Sequence, residues 1–251
     1  MIEIQQLVKH YDPHMQIGPL DFQIPSRRLT ALIGPNGAGK TTLLTMLGRL
    51  LTPDAGDILI EGKSLSKYTQ SRFATQVAIL RQENHFMTRL TVKQLVAFGR
   101  FPYSQGRLTP SDYEIIDRYI DFLNLSPLAD RYLDQLSGGQ RQRAYVAMVL
   151  AQETPYILLD EPLNNLDIAS SIQMMQHLRY VVQSFDRTIV AVLHDINMAA
   201  RYADYIYAMQ SGQLIHSGTP KEVITTACLQ DVYGTQIQVI ESEFGPIAVY
   251  A

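Results

Sequence analysis

Hydrophobic positions change their period several times along this chain. Ile2 and Ile4, and then Leu20, Phe22 and Ile24, alternate with polar neighbours, the two-residue period of half-buried antiparallel strands. Leu29–Ile33 is apolar on both faces and runs directly into a glycine-rich loop, after which the pattern predicts a helix over about residues 41–50. That order is strand, turn, helix. Gly56 and Gly62 bracket another short strand. From about His85 to Ala151 the pattern turns helical; Thr109 caps and Pro110 opens a helix whose Ile115, Ile116, Tyr119 and Leu123 share one face. Buried strands return at residues 156–159 and 188–193, each followed by a helix. The helical stretch therefore reads as a lobe, residues 85–151, inserted into a parallel α/β core formed by residues 1–84 and 152–218 together with an antiparallel β part. Residues 219–251 read as a short mixed tail with no legible role. No internal repeat or low-complexity stretch is present.

Composition narrows the classes. The 251 residues suffice for a sizeable core in one α/β domain. With 21 basic and 24 acidic side chains the net charge is −3, so the whole chain is no natural ligand for a nucleic-acid backbone. No run approaches the roughly 18 apolar residues of a membrane span, and the first residues lack the charged start and apolar stretch of a secretion signal. The expected location is the cytoplasm, so any work in transport requires another component to cross the membrane. The one cysteine, Cys228, excludes an internal disulfide and a multi-cysteine metal site, and is expected to be a small apolar filler.

The candidate chemistry sits in four places. In Gly34-Pro35-Asn36-Gly37-Ala38-Gly39-Lys40-Thr41-Thr42 the glycines let successive backbone N–H groups converge on phosphate oxygens at the positive end of the following helix. Lys40 supplies a point charge for the β and γ phosphates, and the Thr41 hydroxyl can ligate Mg²⁺. Asp160 and Glu161 end the apolar strand 156–159, at the sheet edge where open α/β folds bind ligands. Asp160 is expected to hold Mg²⁺ through its water shell, and Glu161 to orient and deprotonate an attacking water. Ser137 is placed to cap a helix beginning near Gln140, while Gly138 and Gly139 leave its first amides open to an anion. His194 follows the strand 188–193 and should emerge at the same edge as Glu161.

Leu136-Ser137-Gly138-Gly139-Gln140 downstream of the phosphate loop, with Tyr156-Ile157-Leu158-Leu159-Asp160-Glu161 just after, resembles the ATP-binding subunit of an ABC transporter over nearly the whole chain. The resemblance implies a P-loop ABC ATPase: a RecA-like parallel-sheet core, an N-terminal antiparallel β subdomain and an inserted α-helical subdomain. It further implies ATP and Mg²⁺ as cofactors and a head-to-tail homodimer in which Ser137, Gly138, Gly139 and Gln140 close on the γ-phosphate held by the other copy. Within it His194 is the switch histidine on the γ-phosphate, Gln82 senses Mg²⁺ and the attacking water at the joint between lobes, and Tyr11 stacks on adenine. Asp167 ends a loop coupling the two ATP sites; there Asn164-Asn165 replaces the commoner Ser-Ala, and Leu193 replaces a threonine often found before the histidine.

Gly99-Arg100-Phe101-Pro102, within 96–103, resembles a stretch of ATPases serving importers of iron-siderophore complexes, haem and cobalamin, and residues 161–168 resemble a ferric-siderophore variant. That implies ATP-driven import at the cytoplasmic face of the membrane, with polytopic permease subunits and an extracytoplasmic siderophore-binding protein as partners. A soluble ABC-type ATPase assisting iron-sulfur cluster assembly is the alternative; a translation or DNA-repair protein is disfavoured, because those usually carry two ATPase halves or a long coiled coil. Finally, Arg72, Arg81, Arg89, Lys93, Arg100 and Arg107 stand against the single acid Glu83 between residues 70 and 107. That imbalance makes the segment either a solvated face or a basic surface for the permease or anionic lipid.

Overall fold

The computed structural model describes residues 1–12, 15–82 and 89–249, except for the side chain of Asp12. The expected start of the helical lobe at residue 85, and Glu83, lie outside the described residues. In chain order the elements are β1 (Ile2–Asp12), β2 (Met15–Ile24), β3 (Leu29–Ile33), α1 (Lys40–Leu47), β4 (Ala55–Ile60), β5 (Lys63–Ser64), α2 (Gln70–Ala74) and β6 (Val77–Leu80). The helical lobe follows: α3 (Val92–Ala97), α4 (Phe101–Ser104), α5 (Pro110–Phe122) and α6 (Gly138–Ala151). Then come β7 (Tyr156–Asp160), α7 (Ile168–Phe185), β8 (Thr188–Val192), α8 (Ile196–Tyr202), β9 (Tyr205–Gln210) and β10 (Gln213–Gly218). The tail holds α9 (Pro220–Val223), α10 (Thr226–Tyr233), β11 (Gln238–Ser242) and β12 (Gly245–Val249).

A six-stranded sheet in the order β10-β9-β3-β8-β7-β6 forms the centre. It is parallel except for β10, an antiparallel edge strand. Because β6 and β7 are neighbours in this sheet although helices intervene in the chain, the lobe is an excursion between two adjacent strands. A second, antiparallel sheet, β2-β1-β4-β5, carries the alternating N-terminal residues, with Ile4 opposite Phe22 and Leu7 opposite Leu20.

The central strands bury both faces, and their alternation assigns each residue to one of two cores. Leu32, Leu158, Val190 and Val192 pack with α1 and the antiparallel sheet. Leu29, Ala31, Ile157, Leu159, Ile189 and Ala191 pack on the opposite side, against the helices of the lobe and α7. The capping expectations hold at α5, where Thr109 and Asp112 exchange reciprocal bonds, and Ile116, Tyr119 and Leu123 are buried.

Three features differ from the sequence reading. Arg100 is only 7% exposed: its Nε donates to Asp112 at 2.9 Å and its guanidinium also reaches the Ala151 carbonyl at 2.9 Å and Glu153 at 3.4 Å. It cannot face a partner. Arg89 pairs with Asp134 and Lys93 with Asp117, so acids from elsewhere in the lobe answer a charge excess that a linear count exaggerates. Cys228 is half-buried on α10 with its thiol 3.8 Å from the Glu222 carbonyl, at the edge of the core rather than within it.

The tail folds back onto α8. Asn197 donates to the Ala248 carbonyl at 3.1 Å and accepts from its N–H at 2.8 Å, as a neighbouring strand would. Arg201 bonds the Phe244 carbonyl and lies over its ring at 4.8 Å.

Candidate functional site

The loop between β3 and α1 opens with Gly34 at φ 142, where an added Cβ would lie 2.0 Å from the Met209 carbonyl. Only glycine lets the chain pass this close to β9. The loop and the first turn of α1 line a cleft of about 530 Å³ through residues 36–42, closed by Met15, Gln82, Glu161 and His194. Lys40, 5% exposed, turns its ammonium back onto the carbonyls of Gly34 and Pro35 at 2.7 and 2.8 Å. Burial pulls its pKa down, while Glu161 and Asp160 oppose the shift. A buried ammonium resting on backbone carbonyls is poised to exchange them for anionic oxygens.

Asp160 closes β7, fully within the sheet, and its carboxylate accepts from the Thr41 hydroxyl at 3.1 Å. Burial pushes its pKa up; the Thr41 bond opposes that, and Glu161 adds to it. Glu161 turns out of the strand with φ 52, a left-handed state rare for a residue with a Cβ. Its Oε1 accepts from Gln82 Nε2 at 3.0 Å and lies 2.7 Å from His194 Nε2. Three side chains from separate segments thus converge at one point beside the phosphate loop. A carboxylate so aimed can hold and deprotonate a water, and Thr41 with Asp160 offers the hard oxygens that Mg²⁺ prefers.

The other expected residues lie apart from this convergence. Tyr11, half exposed, places its hydroxyl 3.0 Å from Thr42 Oγ1. Asp167 caps α7 through the Ser170 N–H at 2.7 Å, and that bond, with the Ser170 side chain, holds its carboxyl below the usual range. Ser137 caps α6, which begins at Gly138 rather than near Gln140, with Gln140 returning the bond to the Ser137 N–H at 3.0 Å. Gly138 and Gly139 have a further reason to be glycine. A Cβ on them would sit 3.0 Å from Asn165 Cβ and 3.2 Å from Leu166 Cδ2. The start of α6 therefore presses on the loop before Asp167, and Asn165, itself at φ 62, forms that contact.

Two neighbours of the site escaped sequence reasoning. Met15 lines the cleft because it pairs with Asp12 where β1 and β2 run antiparallel, a register legible only once those strands are paired. Gln142 donates to the Glu161 carbonyl at 3.2 Å. Its signal was helical spacing, since it lies three and four residues after Gly139 and Gly138, on the same face.

A family model described as ABC transporter matches residues 17–164. Petrobactin import ATP-binding protein FatE of Bacillus anthracis is 58% identical over 250 residues, which cover 100% of this chain and 100% of that protein. Petrobactin import ATP-binding protein YclP of Bacillus subtilis (strain 168) is 44% identical, with 100% and 99% covered. Among solved structures, the dimeric ATP-binding cassette MJ0796, in a post-hydrolysis state bound to ADP and Pi, superimposes with a TM-score of 0.79 at 25% identity, covering 88% of this chain and 99% of that one.

Proposed function

Because this chain belongs to the ABC transporter family, we propose that it is the ATP-hydrolysing subunit of an iron-siderophore importer, with petrobactin-bound iron as the cargo. The observation that carries the chemistry is the meeting of Gln82, His194 and Glu161 beside the phosphate loop. The cargo rests on relatives that match end to end and are named for petrobactin import.

On this reading the phosphates of ATP lie along the backbone of residues 34–41, Lys40 leaves its two carbonyls for the β and γ oxygens, and Tyr11 supports the adenine. Thr41 and Asp160 would hold Mg²⁺, with Gln82 at its outer shell; when bound, the ion neutralises charge on the phosphates. The fit rests on their adjacent oxygens, the Thr41 hydroxyl lying 3.1 Å from the Asp160 carboxylate. Glu161 takes the proton of the attacking water, and His194, beside that carboxylate, reaches the γ-phosphate. A second copy completes each site by bringing Ser137, Gly138, Gly139 and Gln140 to the γ-phosphate, with Asp167 at the contact between copies.

The division into core (1–84 and 152–218), lobe (85–151) and tail (219–251) serves that cycle, the lobe carrying Ser137 and moving against the core. Among the described residues no helix is long and apolar enough to cross a membrane. As the import relatives suggest, the subunit works as a peripheral protein at the cytoplasmic face, beneath permease subunits that take cargo from an extracytoplasmic binding protein.

An apolar groove of about 290 Å³ on the lobe, lined by Leu90, Ala97, Phe98, Phe101 and Leu108, suits an apolar segment of the permease. Burial of Arg100 leaves Phe101 57% exposed beside it. Phe101→Asp is expected to retain ATP binding and lose co-purification with the permease from gently solubilised membranes. Full recovery of the permease by that variant would remove the groove from the interface. The assembly-partner reading has less support, since relatives covering the whole chain are import subunits. Recovery of only soluble scaffold proteins by the unmodified chain would favour it.

A further inference from the structure

The left-handed turn at Glu161 is held by its carbonyl oxygen, which accepts from two donors. One is the Asn164 N–H at 3.1 Å, which closes the turn within the loop itself. The other is Gln142 Nε2 at 3.2 Å, which comes from α6 in the helical lobe. Gln142 is half-buried, and the same face of α6 carries Gly138 and Gly139 against Asn165 and Leu166. The first turn and a half of α6 is thus seated along the whole loop that begins with Glu161. From the other side Gln82, just beyond β6 where the chain leaves the core for the lobe, holds the Glu161 carboxylate at 3.0 Å.

We propose that Gln142 is a positioning residue for hydrolysis: it ties the seating of the lobe to the backbone of Glu161, so that the carboxylate is aimed only when α6 rests on that loop. The inference rests on the reading of Glu161 as the base. Loss of the Gln142 bond leaves the turn with one donor in a conformation that a residue with a Cβ rarely keeps unaided. The carboxylate then samples orientations away from Gln82 and His194. A lobe displaced from the core breaks the Gln142 bond, which slows hydrolysis until the lobe is reseated.

The test uses the full chain carrying Gln142→Met, which keeps the unbranched stem and the helix propensity and removes the amide that donates to Glu161. With its permease present, kcat is expected to fall about tenfold, the value of one neutral hydrogen bond. The ATP dissociation constant and the melting temperature should stay at the parent values, a split that a purely structural role does not produce. Adding Gln82→Ala should give less than the product of the two single effects, because both residues aim one carboxylate. A kcat within twofold of the parent, or an equal loss of kcat and ATP affinity, would overturn the role. Glu161→Gln run in parallel separates the two readings. If that variant hydrolyses ATP normally the base assignment fails and this inference with it, whereas a dead Glu161→Gln beside a normal Gln142→Met sinks the inference alone.

Discussion

Glu161→Gln is expected to stop steady-state ATP hydrolysis while ATP binding persists and the protein accumulates as a nucleotide-trapped dimer. Glutamine has nearly the same shape, and its amide oxygen can still accept from Gln82 and His194, whose partners sit 3.0 and 2.7 Å from the present carboxylate. What it lacks is basicity. A positioned general base contributes about 10²- to 10⁴-fold, so turnover should fall by at least that lower figure. The phosphate cradle and Lys40 are untouched, which is why binding survives. Phosphate release, equilibrium ATP binding and elution volume with and without ATP report the three quantities. Normal turnover would move the base to another group.

The second large effect is on stability. Arg100→Glu is expected to lower the melting temperature by about 10 °C or more, whereas Arg89→Glu should change it by only a few degrees. At position 100 a glutamate meets Asp112 and Glu153 without the guanidinium that now joins them at 2.9 and 3.4 Å, and the Ala151 carbonyl loses its donor. Breaking a buried pair by removing one partner costs about 3–5 kcal/mol. Arg89, by contrast, is largely exposed and pairs with an equally exposed Asp134. The Thr109 N–H and hydroxyl, with Arg100, hold the Asp112 carboxyl down to about 2. A depressed carboxyl stabilises the fold above its unfolded value of about 3.9, and that contribution disappears as the pH falls toward 2. The contrast between the two variants should therefore persist from neutral pH down to the range of unfolded carboxyls. Equal, small shifts in both would show that Arg100 is not buried in solution.

This pair also shows where sequence reasoning reaches its limit. Periodicity worked wherever burial is decided by neighbours along the chain: the alternation at Ile2, Ile4, Leu20 and Ile24, the doubly buried Leu29–Ile33, and the cap at Thr109 all describe the folded molecule. It failed at Arg100 because charge counted along a segment cannot see Glu153, 53 residues away. The tail was illegible for the same reason, its anchor being a contact between Asn197 and Ala248, 51 residues apart. The motif strings located Lys40, Asp160, Glu161 and His194 beside one cleft, since Asp160, Glu161 and His194 sit at the ends of central strands and Lys40 opens the helix after the loop that leaves β3. They marked Asn165 only as a departure from the commoner alanine and gave Gln142 no role, because what both touch depends on how the lobe sits on the core.

The most direct test of the central claim is uptake of radiolabelled iron-petrobactin by cells of the source organism in which this chain's own gene has been deleted, complemented by the unmodified chain or by Glu161→Gln. Restoration by the unmodified chain alone is the expected result, with both forms present at equal levels. Uptake that continues undiminished without either would separate this ATPase from petrobactin import.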